Sequence, residues 1–445
     1  MKQIFQYSNK QNSSKQNSGK QSSGEFVIKS NRAEMIFDSQ DYNSNFPQPD
    51  EVALKLSESL QEKIGLAIME NGGSISFEQY MQMALYEPGL GYYSAGSSKF
   101  GEQGDFVTAP EISPLFSRCI ARQCQQVLSE ISSSKSSCSI LEFGPGTGTM
   151  AIDIMLELAR NNTLPETYYL LEPSADLRQR QQSNIKNTIP QLEDRFVWLD
   201  RLPEERIRGV ILANEVIDAM PVKRIVIDSD IQEYAVSCDS GANDETRFQW
   251  LKTDIDQDLK SDMQEMFDTL GESLATPYIT EINCNIKPWI NSLNDVLDQG
   301  LILISDYGYP RKEYFHPQRH TGTLICHYRH QVHDDPFLYP GLQDITASVE
   351  FTTVAEAAVD AGLHVSGFTT QAHFLIGCGL DQFVSEFESD DVAERSKMTQ
   401  QVSKLTMPGE MGEKFKFIGL SKNLDTSALD IRLCGFSFID QRSRL

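Results

Sequence analysis

The sequence predicts an α/β fold, a mostly parallel sheet covered by helices on both faces. From Ser139 onward, short apolar runs at 139–143, 168–171, 196–199, 210–213 and 301–304 alternate with helical stretches. The runs are apolar almost without interruption, as strands buried on both faces are. A glycine-rich turn, Gly144-Pro-Gly-Thr-Gly148, lies directly between the first run and its helix, and an acid, Glu172, closes the second run.

Taken in order, residues 1–24 hold six Ser, five Gln, three Asn and four Lys, and no acid. Such a stretch cannot bury enough apolar surface to offset its ordering entropy, so residues 1–48 are expected to be a disordered polar tail. An organelle presequence is the alternative, but presequences favour arginine and the first here is Arg32. Residues 49–135 are expected to hold helices and a substrate or cofactor loop. Leu54, Leu56, Leu60, Ile64 and Ile68 are helix-spaced, and Ser76-Phe-Glu-Gln79 resembles a capping box ahead of Tyr80, Met83 and Ala84. The segments Tyr86–Tyr93 and Gly104–Glu111 carry more Gly, Pro and aromatic residues than a connector needs. The main domain spans 136–445, with Ile152, Met155, Leu156 and Ala159 on one helix face and an insertion at about 222–280.

Among the 445 residues, 39 basic and 63 acidic side chains leave a net charge of −24. A nucleic-acid binder would show a basic footprint, so that class is excluded, whereas a basic protein partner is not. No stretch approaches the ~20 apolar residues of a membrane span. The eight cysteines are scattered without CxxC spacing, and no signal-peptide core opens the chain. Reduced thiols in a cytoplasmic compartment are expected. Five of the seven histidines fall between His316 and His333, but no zinc spacing is among them, and no metal is expected.

The glycine turn departs from the dinucleotide fingerprint, because Thr149 stands where the third glycine belongs. What remains is Glu142-x-Gly144-Pro145-Gly146-x-Gly148. Glycines let a nucleoside approach the main chain, and the acid suits the ammonium end of an amino-acid tail. Glu172 is placed to accept ribose hydroxyls. Trp198 or Leu199 is placed either to flank an adenine or to pack, and Asp200 follows. The fourth run delivers Asn214-Glu-Val-Ile-Asp-Ala-Met-Pro221, so Asn214, Glu215 and Asp218 should border the reactive end. Helix capping by Asn214 or Asp218, or pairing with Lys223 and Arg224, accounts for the same residues.

Gly104-Asp-Phe-Val-Thr-Ala-Pro-Glu-Ile-Ser113, Leu141-Glu-Phe-Gly-Pro-Gly-Thr-Gly148, Asn214-Glu-Val-Ile-Asp-Ala-Met-Pro221 and Gly341-Leu-Gln-Asp-Ile-Thr-Ala347 occur in that order. Together they resemble the MidA family of S-adenosyl-L-methionine-dependent methyltransferases, from about residue 55 to the C-terminus. The resemblance implies a class I methyltransferase fold, a Rossmann-like seven-stranded sheet with one antiparallel edge strand, an N-terminal helical segment and inserted substrate-binding elements. It implies S-adenosyl-L-methionine as cofactor, bound by Glu142, Gly144, Pro145, Gly146, Gly148 and Glu172. Asp105, Thr108 and Glu111 would contact substrate, and Asn214, Glu215 and Asp218 would act in catalysis. Mitochondrial members are arginine methyltransferases that assist assembly of respiratory complex I, so the expected partner is a protein presenting an arginine. A homodimer is compatible with the sequence. After Ala347 the chain reads Ser348-Val-Glu350, where relatives are expected to carry a histidine and an aspartate. Acidity and the lack of a transit signature point to a bacterial-type cytoplasmic member. A non-catalytic assembly factor and a small-molecule methyltransferase are the competing functions.

Overall fold

The computed structural model describes residues 47–94, 108–132, 137–240, 246–271, 274–387, 389–424 and 433–445. The expected tail lies almost wholly outside them, as does Asp105.

The N-terminal segment forms α1 (Glu51–Glu70), β1 (Ser74–Ser76), α2 (Phe77–Tyr86), α3 (Ala109–Ile112) and α4 (Pro114–Ser132). Asp50 caps α1 by accepting from the Val52 and Ala53 N–H groups. Ser76 Oγ accepts from Gln79 N–H at 3.1 Å, the serine half of the expected capping box. The alternating core follows as β2 (Ser139–Phe143), α5 (Thr149–Arg160), β3 (Thr167–Leu171), α6 (Ala175–Thr188), β4 (Phe196–Leu199) and β5 (Ile207–Asn214). The insertion contributes β6 (Lys223–Ile227), β7 (Ile231–Ser240), β8 (Thr246–Asp254), α7 (Gln257–Leu270) and β9 (Tyr278–Ile282). The core resumes with α8 (Ile286–Val296), β10 (Leu297–Tyr309) and α9 (Arg311–Tyr314). A small sheet of β11 (Ile325–Tyr328), β12 (Gln331–His333) and β13 (Asp344–Thr346) precedes β14 (Val349–Glu350) and α10 (Phe351–Asp360). The chain ends through β15 (His364–Thr370), α11 (Gln371–Gly377), α12 (Leu380–Ser385), α13 (Val392–Thr406), α14 (Met411–Lys414) and β16 (Phe415–Lys422).

The main sheet runs β4-β3-β2-β5-β10-β16-β15, with β14 beside the end of β10. Every neighbour pair from β4 to β10 is parallel, and β16 is antiparallel to both β10 and β15. The antiparallel strand is therefore internal, not at the edge as expected. Its six consecutive buried residues explain the placement, since a strand covered along its length needs neighbours on both sides. Successive residues of β2 feed opposite cores. Ile140 packs under α4 and α5, and Leu141 and Phe143 pack under α8 and α10.

The insertion joins β1 in a second sheet, in which β7 pairs with β1, β6 and β8. Leu60, Ile64, Phe77 and Tyr80 of the N-terminal helices pack with Val236 of that sheet and with Cys326 and Ile345 of the small sheet. These layers together form a lobe over the carboxyl ends of the main strands.

Candidate active site

The carboxyl ends of β2, β3, β5 and β10 open into a cleft of about 1160 Å³, where sheets of this kind bind ligands. The chain leaves β2 through Gly144, Gly146 and Gly148 at φ +55°, +53° and +82°, a region that strains L side chains. A Cβ at Gly146 would meet no protein atom within 4 Å, so the space beside it suits a ligand. Gly144, Pro145 and Gly146 line the cleft and Gly148 does not. Gly148 caps the start of α5 in a left-handed conformation, and a Cβ there would make only ordinary contact with Gln181 Cγ at 3.4 Å, so the backbone conformation is what favours glycine here.

Glu142 is buried and accepts from Tyr168 Oη at 2.6 Å. Burial pushes its carboxyl up to about 7, against the pull of that hydrogen bond. Glu172, just beyond β3, is raised to about 7 for the same reason. It accepts from Ser174 N–H at 2.8 Å and from Gln181 Nε2 at 3.4 Å. Asp200 lines the cleft, whereas Trp198 and Leu199 do not.

At the other end, β5 stops at Asn214 and the chain turns through Glu215 at φ +53°. Glu215 N–H donates to Ser305 O at 2.9 Å. Asp306 Oδ2 accepts from the N–H groups of Val216, Ile217 and Asp218 at 3.2, 3.0 and 3.2 Å. One buried carboxylate thus clasps the whole turn. Burial, then the neighbouring Asp218, pushes the Glu215 carboxyl up to about 8. Burial lifts Asp218 to about 6. Asn214 Oδ1 is buried without a hydrogen-bond partner, and the buried Tyr307 hydroxyl faces the Asp218 carboxyl. Neither residue caps a helix. Lys223 instead pairs with Glu233 at 3.0 Å, and Arg224 lies 3.8 Å from Glu281.

The lobe closes this end with Tyr86 and Tyr93, stacked at 5.4 Å and 19°. Tyr86 Oη donates to Ala219 O at 2.7 Å, and Tyr93 Oη donates to Asp344 Oδ1 at 2.9 Å. Thr108 and Glu111 line the cleft beside them, as do His327 and Ser348. Glu350 caps α10 by accepting from Thr352 and Thr353 N–H, work an aspartate also performs. Asp306, Asp344 and Gln181 are the residues that sequence reasoning missed. Asp306 had a signal, an acid two residues after the buried run 301–304, and Asp344 lies within the motif Gly341–Ala347. Acids outnumber Lys and Arg nine to two among the residues lining the cleft. A ligand that is a nucleoside with a cationic amino-acid tail fits these residues.

A match to the protein family described as "Putative S-adenosyl-L-methionine-dependent methyltransferase" spans residues 119–369, more than half of the chain. The chain belongs to that family. Among solved structures, it is 36% identical, with TM-score 0.82, to a "likely methyl transferase" from Burkholderia thailandensis bound to S-adenosyl-homocysteine. That similarity covers 90% of this chain and all of the other. Among curated proteins, "Protein arginine methyltransferase NDUFAF7, mitochondrial" of Danio rerio is 29% identical over 377 residues, covering 78% of this chain and 83% of its own length. The Drosophila melanogaster homolog is 27% identical over 405 residues, covering 85% and 89%. The chain is thus an S-adenosyl-L-methionine-dependent methyltransferase with a class I fold, related to proteins named arginine methyltransferases. The curated relatives are named mitochondrial, which overturns the expected cytoplasmic placement. Net acidity is a property of the folded surface and carries no compartment signal. No helix among the described residues is long and apolar enough to cross a membrane.

Proposed function

We propose that this methyltransferase transfers the methyl group to an arginine side chain of a protein substrate, and that Glu215, Asp218 and Asn214 hold that guanidinium. The unpartnered buried Asn214 Oδ1, beside the buried carboxyls of Glu215 and Asp218, carries this reading. A buried acceptor without a donor costs about 1–3 kcal/mol, and a guanidinium brings five donors in a fixed fork. The relatives' name, protein arginine methyltransferase, supports the same substrate class.

The cofactor supplies an electrophilic methyl on a sulfonium. Glu142, Gly144, Pro145, Gly146 and Glu172 would hold its tail and ribose at one end of the cleft. Glu215 and Asp218 align the guanidinium and localise electron density on one nitrogen, so that positioning supplies much of the rate. Forming the new N–C bond breaks the S–C bond and releases a proton from that nitrogen. Glu215, lifted to about 8, is suited to take it. Thr108 and Glu111 flank the target side chain. Residues 49–135 with the insertion at about 222–280 would act as the lobe that receives the substrate protein, and the remainder of 136–445 as the catalytic domain.

The test is to incubate the protein with methyl-labelled S-adenosyl-L-methionine and lysate from cells lacking it, then to hydrolyse and resolve the labelled amino acids. Label in methylarginine is the expected result. Label confined to other residues or to small molecules overturns the arginine reading. S-adenosyl-homocysteine binding without any transfer supports the scaffold reading instead.

A further inference from the structure

Gln181, on α6, is fully buried and lies outside the cleft lining. Its amide is completely engaged. Nε2 donates to Gly146 O at 2.8 Å and to Glu172 Oε2 at 3.4 Å, and Oε1 accepts from Trp198 Nε1 at 2.9 Å. One side chain therefore bonds the glycine turn, the acid at the tip of β3, and β4. Gln181 Cγ and Cβ also pack against the turn at Gly148, where a Cβ would lie in ordinary contact at 3.4 and 3.6 Å. One turn further along α6, Asn184 Nδ2 donates to Thr147 O at 3.0 Å, so the same helix face grips the turn twice.

Gly146 O accepts from Gln181 Nε2, which fixes the plane of that peptide, and both its residues, Gly146 and Thr147, line the cleft. Donation to Glu172 Oε2, with Ser174 N–H on Oε1 at 2.8 Å, fixes the plane of the carboxylate that would receive the ribose. Trp198 lies outside the cleft lining and spends its indole N–H on Gln181. We propose that Gln181 is a positioning residue for the cofactor site, holding the glycine turn and Glu172 in register, and that Trp198 acts through Gln181 and not by stacking on adenine. The assignment rests on the cofactor end of the cleft and is independent of the arginine reading.

A double-mutant cycle on S-adenosyl-homocysteine affinity tests it, read by calorimetry beside the thermal midpoint of the ligand-free protein. Gln181→Met keeps the volume but leaves Gly146 O and Glu172 Oε2 without their donor. The dissociation constant should rise about 10- to 100-fold, a larger loss than the accompanying fall in the ligand-free midpoint explains. Trp198→Phe should weaken binding by about 3- to 10-fold alone and add nothing in the Gln181→Met background, because the indole N–H has no partner left there. Gln181→Glu, which keeps the acceptor for Trp198 but sets a carboxylate against Gly146 O and Glu172, reads the same role should the Met variant fail to fold. Wild-type affinity in both Gln181 variants overturns the proposal. So does a loss that merely tracks the ligand-free midpoint, or a Trp198→Phe effect of equal size in both backgrounds.

Discussion

Glu215 adopts φ +53°, a conformation that costs a non-glycine residue roughly 1–3 kcal/mol and persists only where its surroundings impose it. Here the Ser305 carbonyl and the three N–H groups gathered by Asp306 impose it. The consequence is a buried carboxyl aimed at the reactive end of the cleft, with burial holding it near 8. Glu215→Gln should leave S-adenosyl-homocysteine affinity within about twofold while lowering methyl transfer by at least about a hundredfold, the scale of removing a positioned acid–base group. Wild-type turnover on an established substrate would reject the role. At Gly146 the expectation runs the other way. A valine there points into open space but carries the strain of a left-handed backbone, so Gly146→Val should abolish cofactor binding in a protein that still folds. Unchanged affinity would move the ligand elsewhere.

At the scale of elements, the hinge of the site is the junction of β5 with β10. Parallel pairing runs from Gly300 opposite Gly209 to Ser305 opposite Asn214, which delivers Asp306 to the turn that follows β5. Asp306→Ala would leave three buried N–H groups without their acceptor. The expected outcome is a loss of about 3–5 kcal/mol in denaturant unfolding, with transfer abolished even in the fraction that folds. A change below about 1 kcal/mol would show that the turn is held by other contacts. Sequence periodicity located β2, β3, β4 and β5 because each is a bounded apolar run. It found only the middle of β10: after Leu297, Asp298 bulges out of the ladder and polar Gln299 and Gly300 pair with β5, Gly300 also with β16. β15 and β16 were not among the runs read from the sequence, since Ser366, Gly367 and Thr369 interrupt one and Lys416 and Gly419 the other, and only packing sets which lies outermost.

Across the whole molecule, the acids of the cleft make stability depend on pH. Glu142, Glu172 and Glu215 sit at about 7, 7 and 8 when folded, above the ordinary carboxylate range. The folded protein therefore keeps protons that the unfolded chain has already lost, and stability falls as pH rises through those values. His333, depressed to about 4 by burial, opposes this below about 6.5, and Lys416, depressed to about 8, opposes it above. In the window from about 6.5 to 7.5 the thermal midpoint of the ligand-free protein should fall with pH. S-adenosyl-L-methionine, which brings positive charge to those carboxylates, should raise the midpoint more at the upper end. A midpoint that rises across the window, or a ligand shift independent of pH, would show that these carboxyls ionise freely in the folded state.

The sequence by itself determined the fold class, the glycine turn with its acids, and the order in which the motifs arrive. These are local facts: apolar runs have a strand's period, glycines mark the turns, and Glu142, Glu172 and Asn214 sit at strand ends. Only the tertiary structure decided that Trp198 reaches Gln181, and that Asp306 and Asp344 complete the acidic end. Each of these depends on residues tens to hundreds of positions apart being brought to one place by strand order and by a lobe folded over the sheet. No local period encodes such a meeting; packing alone creates it.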